Sequence, residues 1–184
     1  MGLTIFVISI FAIGAALLLA AIVIVPAFFG APWHPISGRD LKRALDFCDA
    51  RAGERIIDLG SGDGRVLIAA AKDYDLAGTG IEIDPIKVWL SNLRLRFAGV
   101  QNRIKIVRAN LFDYDYSEAD ILFLYLSHQT LDKLFPKILE QLKPTARILC
   151  YRFCIRGMAP DKVNADKTLF LYTMNKGARV NQFR

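Results

Sequence analysis

Cysteine is scarce in this chain of 184 residues, and the three present, Cys48, Cys150 and Cys154, are an odd number. That count suits free thiols in a reducing compartment and excludes a disulfide-stapled secreted module. Histidine is scarcer still, at His34 and His128. Neither stands at metal-ligand spacing from a cysteine or carboxylate partner, so no metal is expected; no nucleophilic triad, internal repeat or low-complexity tract is visible. The most informative absence is of charge. No Asp, Glu, Lys or Arg precedes Arg39, so all 24 basic and 18 acidic residues follow position 38. From there on the charge density is that of an ordinary water-soluble domain, and the remaining length is ample for one core. A disordered chain and a polytopic membrane protein are both excluded.

Residues 3–29 carry only Thr4 and Ser9 as polar side chains. About 20 residues of helix cross a hydrocarbon layer roughly 30 Å thick, and Pro26 falls where such a helix would leave it. A cleaved signal peptide would need a basic start and a shorter apolar stretch. The reading is therefore a single transmembrane anchor at 3–29, a Pro/Gly-rich linker at 30–38 and a globular domain over 39–184. Arg39, Lys42, Arg43, Arg51 and Arg55 follow the anchor while no basic side chain precedes it, which places the N-terminus outside and the domain in the cytoplasm. The net charge of +6 is spread along the chain, with its strongest local bias near the anchor and in the tail. Attraction to a lipid bilayer explains this more simply than nucleic-acid binding, which is not expected.

The globular part alternates strands and helices. Gly38–Arg51 has Leu41, Ala44, Leu45 and Cys48 on one helical face, with Ser37 and Asp40 placed as a capping box. Strands are read at Arg55–Leu59, Thr79–Ile83, Ile104–Val107, Ile121–Leu126, Arg147–Tyr151 and Leu169–Thr173. Helices are read at Gly64–Lys72, from Pro85 onward with Ile86, Trp89, Leu90, Leu93 and Phe97 at helical spacing, and at Leu131–Leu142. This alternation predicts an α/β, doubly wound, mostly parallel sheet covered on both faces.

The first strand runs into Asp58, Gly60, Ser61, Gly62, Asp63, Gly64 and Arg65. A glycine-rich turn between first strand and first helix is a nucleotide-binding position. The dinucleotide fingerprint needs a third glycine where Arg65 stands, and two flanking aspartates would repel a pyrophosphate. They would welcome the ammonium and sulfonium of S-adenosyl-L-methionine (SAM), so the loop is read as a SAM site. Glu82 ends the second strand about 20 residues on, where one carboxylate accepts from both ribose hydroxyls. Asn110, after the third strand, falls where an adenine edge would lie, its side-chain oxygen able to accept from the adenine amine.

On these stretches (APWHP, DLGSGDGRVLIAAAK, GIEIDPIKVWLS and ARILCYRF) the chain resembles class I SAM-dependent methyltransferases. Within them it resembles the small protein-lysine methyltransferases that act on adenine nucleotide translocase and the ATP synthase c-ring protein, with archaeal relatives. The resemblance covers roughly residues 31–160 and implies a seven-stranded Rossmann-like methyltransferase sheet and transfer of a methyl group to a lysine of a membrane-embedded or membrane-associated protein. Asn110 departs from the family's usual Asp and Met158 from its usual Trp. A neutral lysine would need a desolvated aromatic channel; Trp33, Tyr125 and Phe153 are the candidates. The fourth strand lacks the Asn/Asp-Pro-Pro ending of nucleic-acid and glutamine N-methylases. A lipid, quinone or other amphiphile as acceptor, or a silent SAM-binding membrane protein, are the alternatives.

Overall fold

The computed structural model describes Gly2, residues 4–15 and residues 35–174. The chain divides into two units, Met1–Pro35 and Ile36–Arg184. In the first, residues 4–15 are helical with exposed side chains. Among the described residues no helix is long and apolar enough to cross a membrane. The rest of the expected anchor, residues 16–29, and the linker through His34 lie outside the described residues.

The second unit runs α1 (Gly38–Phe47), β1 (Arg55–Leu59), α2 (Arg65–Asp73), β2 (Ala77–Glu82), α3 (Pro85–Ala98), β3 (Ile104–Arg108), β4 (Ile121–Leu124), α4 (His128–Gln141), β5 (Arg147–Tyr151), β6 (Lys162–Val163) and β7 (Leu169–Thr173). The strands form one sheet in the order β3-β2-β1-β4-β5-β7-β6. The first five are parallel, and β7 runs antiparallel to both β5 and β6. Chain order reverses between β1 and β4, so a crevice opens at their carboxyl ends, where open α/β sheets bind ligands.

Two cores sandwich the sheet, because successive strand residues point to opposite faces. Ile56 joins α1, α2 and Leu95 of α3 on one side, while its neighbour Ile57 joins Leu131, Leu134, Phe135 and Ile138 of α4 on the other. Local chemistry starts each helix. Ser37 Oγ accepts from Asp40 N and donates to Asp40 Oδ2. Asp84 caps α3 with Pro85 at its first position, and Ser127 caps α4. Arg147 at the start of β5 donates to the carbonyls of Cys48 and Asp49 and pairs with Glu54, closing the end of α1 onto the sheet.

Several boundaries differ from the sequence reading. The fourth strand stops at Leu124, because Tyr125 and Leu126 leave the ladder to reach the Ser127 cap. That cap starts α4 at His128, one turn earlier than Leu131, and Pro136 sits inside the helix. The second strand ends at Glu82 because Asp84 must already cap α3. Strand β6 escaped notice: it is two exposed residues with no apolar alternation. The largest difference is in α3. Its Ile86, Trp89, Leu90 and Phe97 are exposed, and the residues it buries are Ser91 and Leu95.

Candidate active site

The loop after β1 is held from β2 and α3. Gly60 N and Ser61 N both donate to Ile81 O, at 2.8 and 3.0 Å. Glu82 Oε2 accepts from Gly62 N at 2.9 Å while its Oε1 accepts from Asp84 N at 3.0 Å. From α3, Ser91 Oγ lies 2.6 Å from Gly62 O. Gly60 and Gly62 have φ of 78° and 55°, a left-handed conformation that glycine adopts without strain. The loop thus folds back on the sheet, with its backbone fixed before any ligand arrives.

Asp58 is 2% exposed, and its Oδ2 has no hydrogen-bond partner among the described residues. Burial, reinforced by the nearby carboxylates of Glu82 and Asp63, pushes its pKa up to about 8. Ser61 Oγ is likewise buried without a partner. Among the described residues, the crevice end of β1 therefore holds a carboxyl group with no ion-pair partner, an unused hydroxyl and a second carboxylate at the end of β2. A ligand with a cationic amino-acid end and a ribose diol fits that donor and acceptor set; a pyrophosphate does not.

Asp63 is placed differently from Asp58, because it has cations beside it. The sequence reading set it beside Asp58 as a negative border for the ligand, but its carboxylate is paired with Arg65, at 2.6 Å, and with Arg94 of α3. Burial alone would raise its pKa; the hydrogen bonds and charge of Arg65, with the charge of Arg94, outweigh that and hold it below the usual carboxylate range. Arg65 also donates to Ile36 O at 3.1 Å. The residue that breaks the dinucleotide pattern thus ties the loop to the entry to α1, while Arg94 ties the same carboxylate to α3. Asn110 lies two residues past β3, exposed, with its Oδ1 accepting from Phe112 N at 3.1 Å in a turn.

On the other side of the crevice, Tyr125 and Phe153 come together with rings roughly stacked, centroids 6.2 Å apart. Trp33, the third channel candidate, lies outside the described residues. Two residues not singled out for this cluster complete it. Tyr151 meets Tyr125 edge-on at 4.9 Å and donates through its hydroxyl to Asp40 Oδ2. His128 meets Phe153 edge-on at 5.2 Å, and its Nδ1 is buried without a partner among the described residues. Tyr151 is legible in the sequence only as a strand residue, and His128 only as a histidine without a metal partner. Arg152, at φ 66°, sets its guanidinium over the Tyr151 ring, 5.5 Å from the centroid. Leu126, next to Tyr125, lies over the glycine loop: a Cβ built on Gly60 would lie 3.4 Å from its Cδ2. Cys150 is buried in the core, its thiol pushed well up by burial. Among the described residues no group of three His, Cys, Asp or Glu could hold a metal ion.

A seven-stranded sheet with β7 antiparallel, a glycine loop at its switch point and an acid at the end of β2 define a SAM-dependent methyltransferase. The comparisons with known proteins agree. The model of the ANTKMT methyltransferase domain matches residues 58–162, and the chain belongs to that family. It is 32% identical over 152 residues to a protein-lysine N-methyltransferase of Saccharolobus islandicus, covering 79% of this chain and 94% of that one. It is 28% identical over 160 residues to the adenine nucleotide translocase lysine N-methyltransferase of Mus musculus, covering 87% of this chain and 69% of that enzyme. A crystal structure described as an RNA methyltransferase from Salinibacter ruber, in complex with S-adenosyl-L-homocysteine, superposes with a TM-score of 0.78 at 32% identity, over 82% of this chain and 100% of that one.

Proposed function

We propose that the protein is a membrane-anchored protein-lysine N-methyltransferase, acting on a lysine of a membrane-embedded or membrane-associated protein. The observation that carries the acceptor side is the cluster of Tyr125, Tyr151, Phe153 and His128, beside which Leu126 lies over the glycine loop. SAM supplies an electrophilic methyl group on a sulfonium. Asp58 faces the cationic end of the donor, Glu82 its ribose, and Asn110 the adenine edge. The loop backbone is already fixed by Ile81, Glu82 and Ser91, so little ordering is left for binding to impose.

Attack requires a neutral amine, and a lysine with a pKa near 10.4 is neutral only about once in a few thousand molecules at pH 7. An aromatic enclosure removes water from the side chain and lowers that pKa. Arg152, a fixed cation over Tyr151, pushes in the same direction, because a second positive charge is disfavoured beside it. His128 Nδ1 is the acceptor the cluster offers for the proton the amine gives up. The faces of the rings retain the amine while it is charged.

Membrane anchoring rests on the uncharged run at 3–29 and on the target proteins of the relatives in this family. Incubating the full chain and tritium-labelled SAM with native membranes tests the whole reading. Label in gel-resolved protein that survives lipid extraction supports it. Label in the solvent extract points instead to a lipid or quinone acceptor, label in RNA to the chemistry named for the Salinibacter protein, and SAM binding without transfer to a silent binder.

A further inference from the structure

Helix α3 carries an apolar stripe that the described residues leave largely uncovered. Ile86, Trp89, Leu90, Leu93 and Phe97 recur at i, i+3, i+4, i+7 and i+11, which places them on one face about 100° wide. Trp89 is 65% and Phe97 84% exposed, Ile86 and Leu90 are exposed with them, and Leu93 between them is half-buried. The opposite face buries Ser91 and Leu95. Single exposed apolar residues are ordinary; a contiguous stripe with two large aromatics marks a surface that meets something apolar.

The charges around the stripe say what that is. Pro85–Ala98 contains no Asp or Glu, while Lys87, Arg94 and Arg96 lie along the two borders of the stripe. Arg94 also pairs with Asp63, and Lys87 Nζ lies 3.9 Å from Asp84. An apolar face with tryptophan and phenylalanine, edged by cations and free of anions, is the pattern of a helix lying in the interfacial layer of a bilayer with acidic headgroups. Single-stranded RNA would also meet aromatics and arginines, but the aliphatic Ile86, Leu90 and Leu93 offer a base nothing to stack on. The same chain opens with 27 uncharged residues at 3–29.

We infer that α3 is a membrane-contact helix: its Ile86–Trp89–Leu90–Leu93–Phe97 face inserts at the surface of an anionic bilayer, with Lys87, Arg94 and Arg96 at the headgroups. The consequence is positional. Ser91 and Arg94 of this helix hold the glycine loop, and Glu82 lies three residues before it. Docking through α3 sets that end of the crevice close to the lipid surface, within reach of a lysine near the headgroups. This contact is independent of which acceptor is methylated.

The chain has two tryptophans, so the full-length Trp33→Phe variant reports on Trp89 alone. It is reconstituted into phosphatidylcholine vesicles with and without phosphatidylglycerol, and also with lipids brominated near the headgroup. In phosphatidylglycerol vesicles, Trp89 emission shifts to the blue, acrylamide quenching falls about threefold, and the brominated lipids quench it. Adding Arg96→Glu raises acrylamide access again. Unchanged access to acrylamide in every vesicle overturns the inference. Protection without quenching by brominated lipid also overturns it, by showing that a protein segment or a second copy covers the face. Protection that appears only when single-stranded RNA is added overturns it in favour of nucleic acid.

Discussion

The units β2–α3 and β4–α4 are built alike, a strand leaving the sheet into a 14-residue helix, yet they do opposite work. The first ends its strand on a carboxylate, Glu82, and turns its helix's apolar stripe outward. The second ends its strand beside an aromatic, Tyr125, and buries Leu131, Leu134, Phe135 and Ile138. The lesson is that periodicity finds a stripe without saying which way it faces. What decides is the other face. In α4 that face is charged and polar, with Asp132, Lys133 and Glu140, so only the stripe can go inward. In α3 the other face carries Ser91 and Leu95, small and apolar enough to pack on the sheet while Ser91 hydrogen-bonds the glycine loop.

The largest way to break this comparison is through α4. Leu134 is fully buried, so Leu134→Ala is expected to cost about 2–5 kcal/mol of unfolding free energy, measured by urea denaturation of the full chain. A loss below about 1 kcal/mol would mean that α4 does not carry the core beneath the acceptor side.

The strand ends come next. Glu82→Ala removes the acceptor for Gly62 N as well as the proposed ribose contact, and is expected to weaken SAM binding at least tenfold, about 1.4 kcal/mol by calorimetry. Tyr125→Leu is expected to leave that affinity within about twofold while turnover drops by an order of magnitude or more, because it alters only the enclosure of the amine. If Tyr125→Leu weakens SAM binding as much as Glu82→Ala does, the division of labour between the two units fails.

These contrasts also explain what the sequence made legible. The cofactor side is local: GSGDGR is contiguous, Glu82 follows at a fixed interval, and strand–helix alternation locates both at the carboxyl ends of parallel strands. Asp63 shows the limit even there, since its partner Arg94 is 31 residues away and nothing in the spacing announces the pair. The acceptor side is assembled from long range. Tyr125, His128, Tyr151 and Phe153 meet because β4 and β5 are neighbours, and Tyr151 is fixed by Asp40, 111 residues distant. Aromatic type and strand-end position put Tyr125 and Phe153 together; they left out Tyr151 and His128, whose places depend on the sheet register and on the Ser127 cap.

A smaller effect tests the cation proposed to sit beside Asp58. An unfolded Asp has a pKa of 3.8, whereas the folded one titrates near 8. Between those values the folded state without cofactor binds more protons than the unfolded chain, so its stability falls as pH rises. The contribution is full below the unfolded pKa and lost as pH passes the folded one. A positive charge beside Asp58 favours its carboxylate, so SAM affinity is expected to rise from pH 6 to pH 8. Asp58→Asn should flatten both slopes, read by calorimetry and thermal unfolding across that range. Parallel slopes in the variant and the parent would remove Asp58 from the cationic subsite.

The smallest expected effect is the most pointed test of the comparison. Phe97 is nearly as exposed as a side chain in an unfolded chain, so Phe97→Ser removes almost no contact from the folded state. Its unfolding free energy should stay within about 0.5 kcal/mol of the parent, against the several expected for Leu134→Ala on the matching face of α4. Burial, and not hydrophobicity, separates the two residues, because both are large, apolar and on a helix of the same length. A loss of 2 kcal/mol or more in Phe97→Ser would mean that the α3 stripe is covered within the folded chain, by about as much apolar surface as a core residue loses to water. The two units would then differ only in what covers them, and the outward face of α3 would have to be redrawn as a second core.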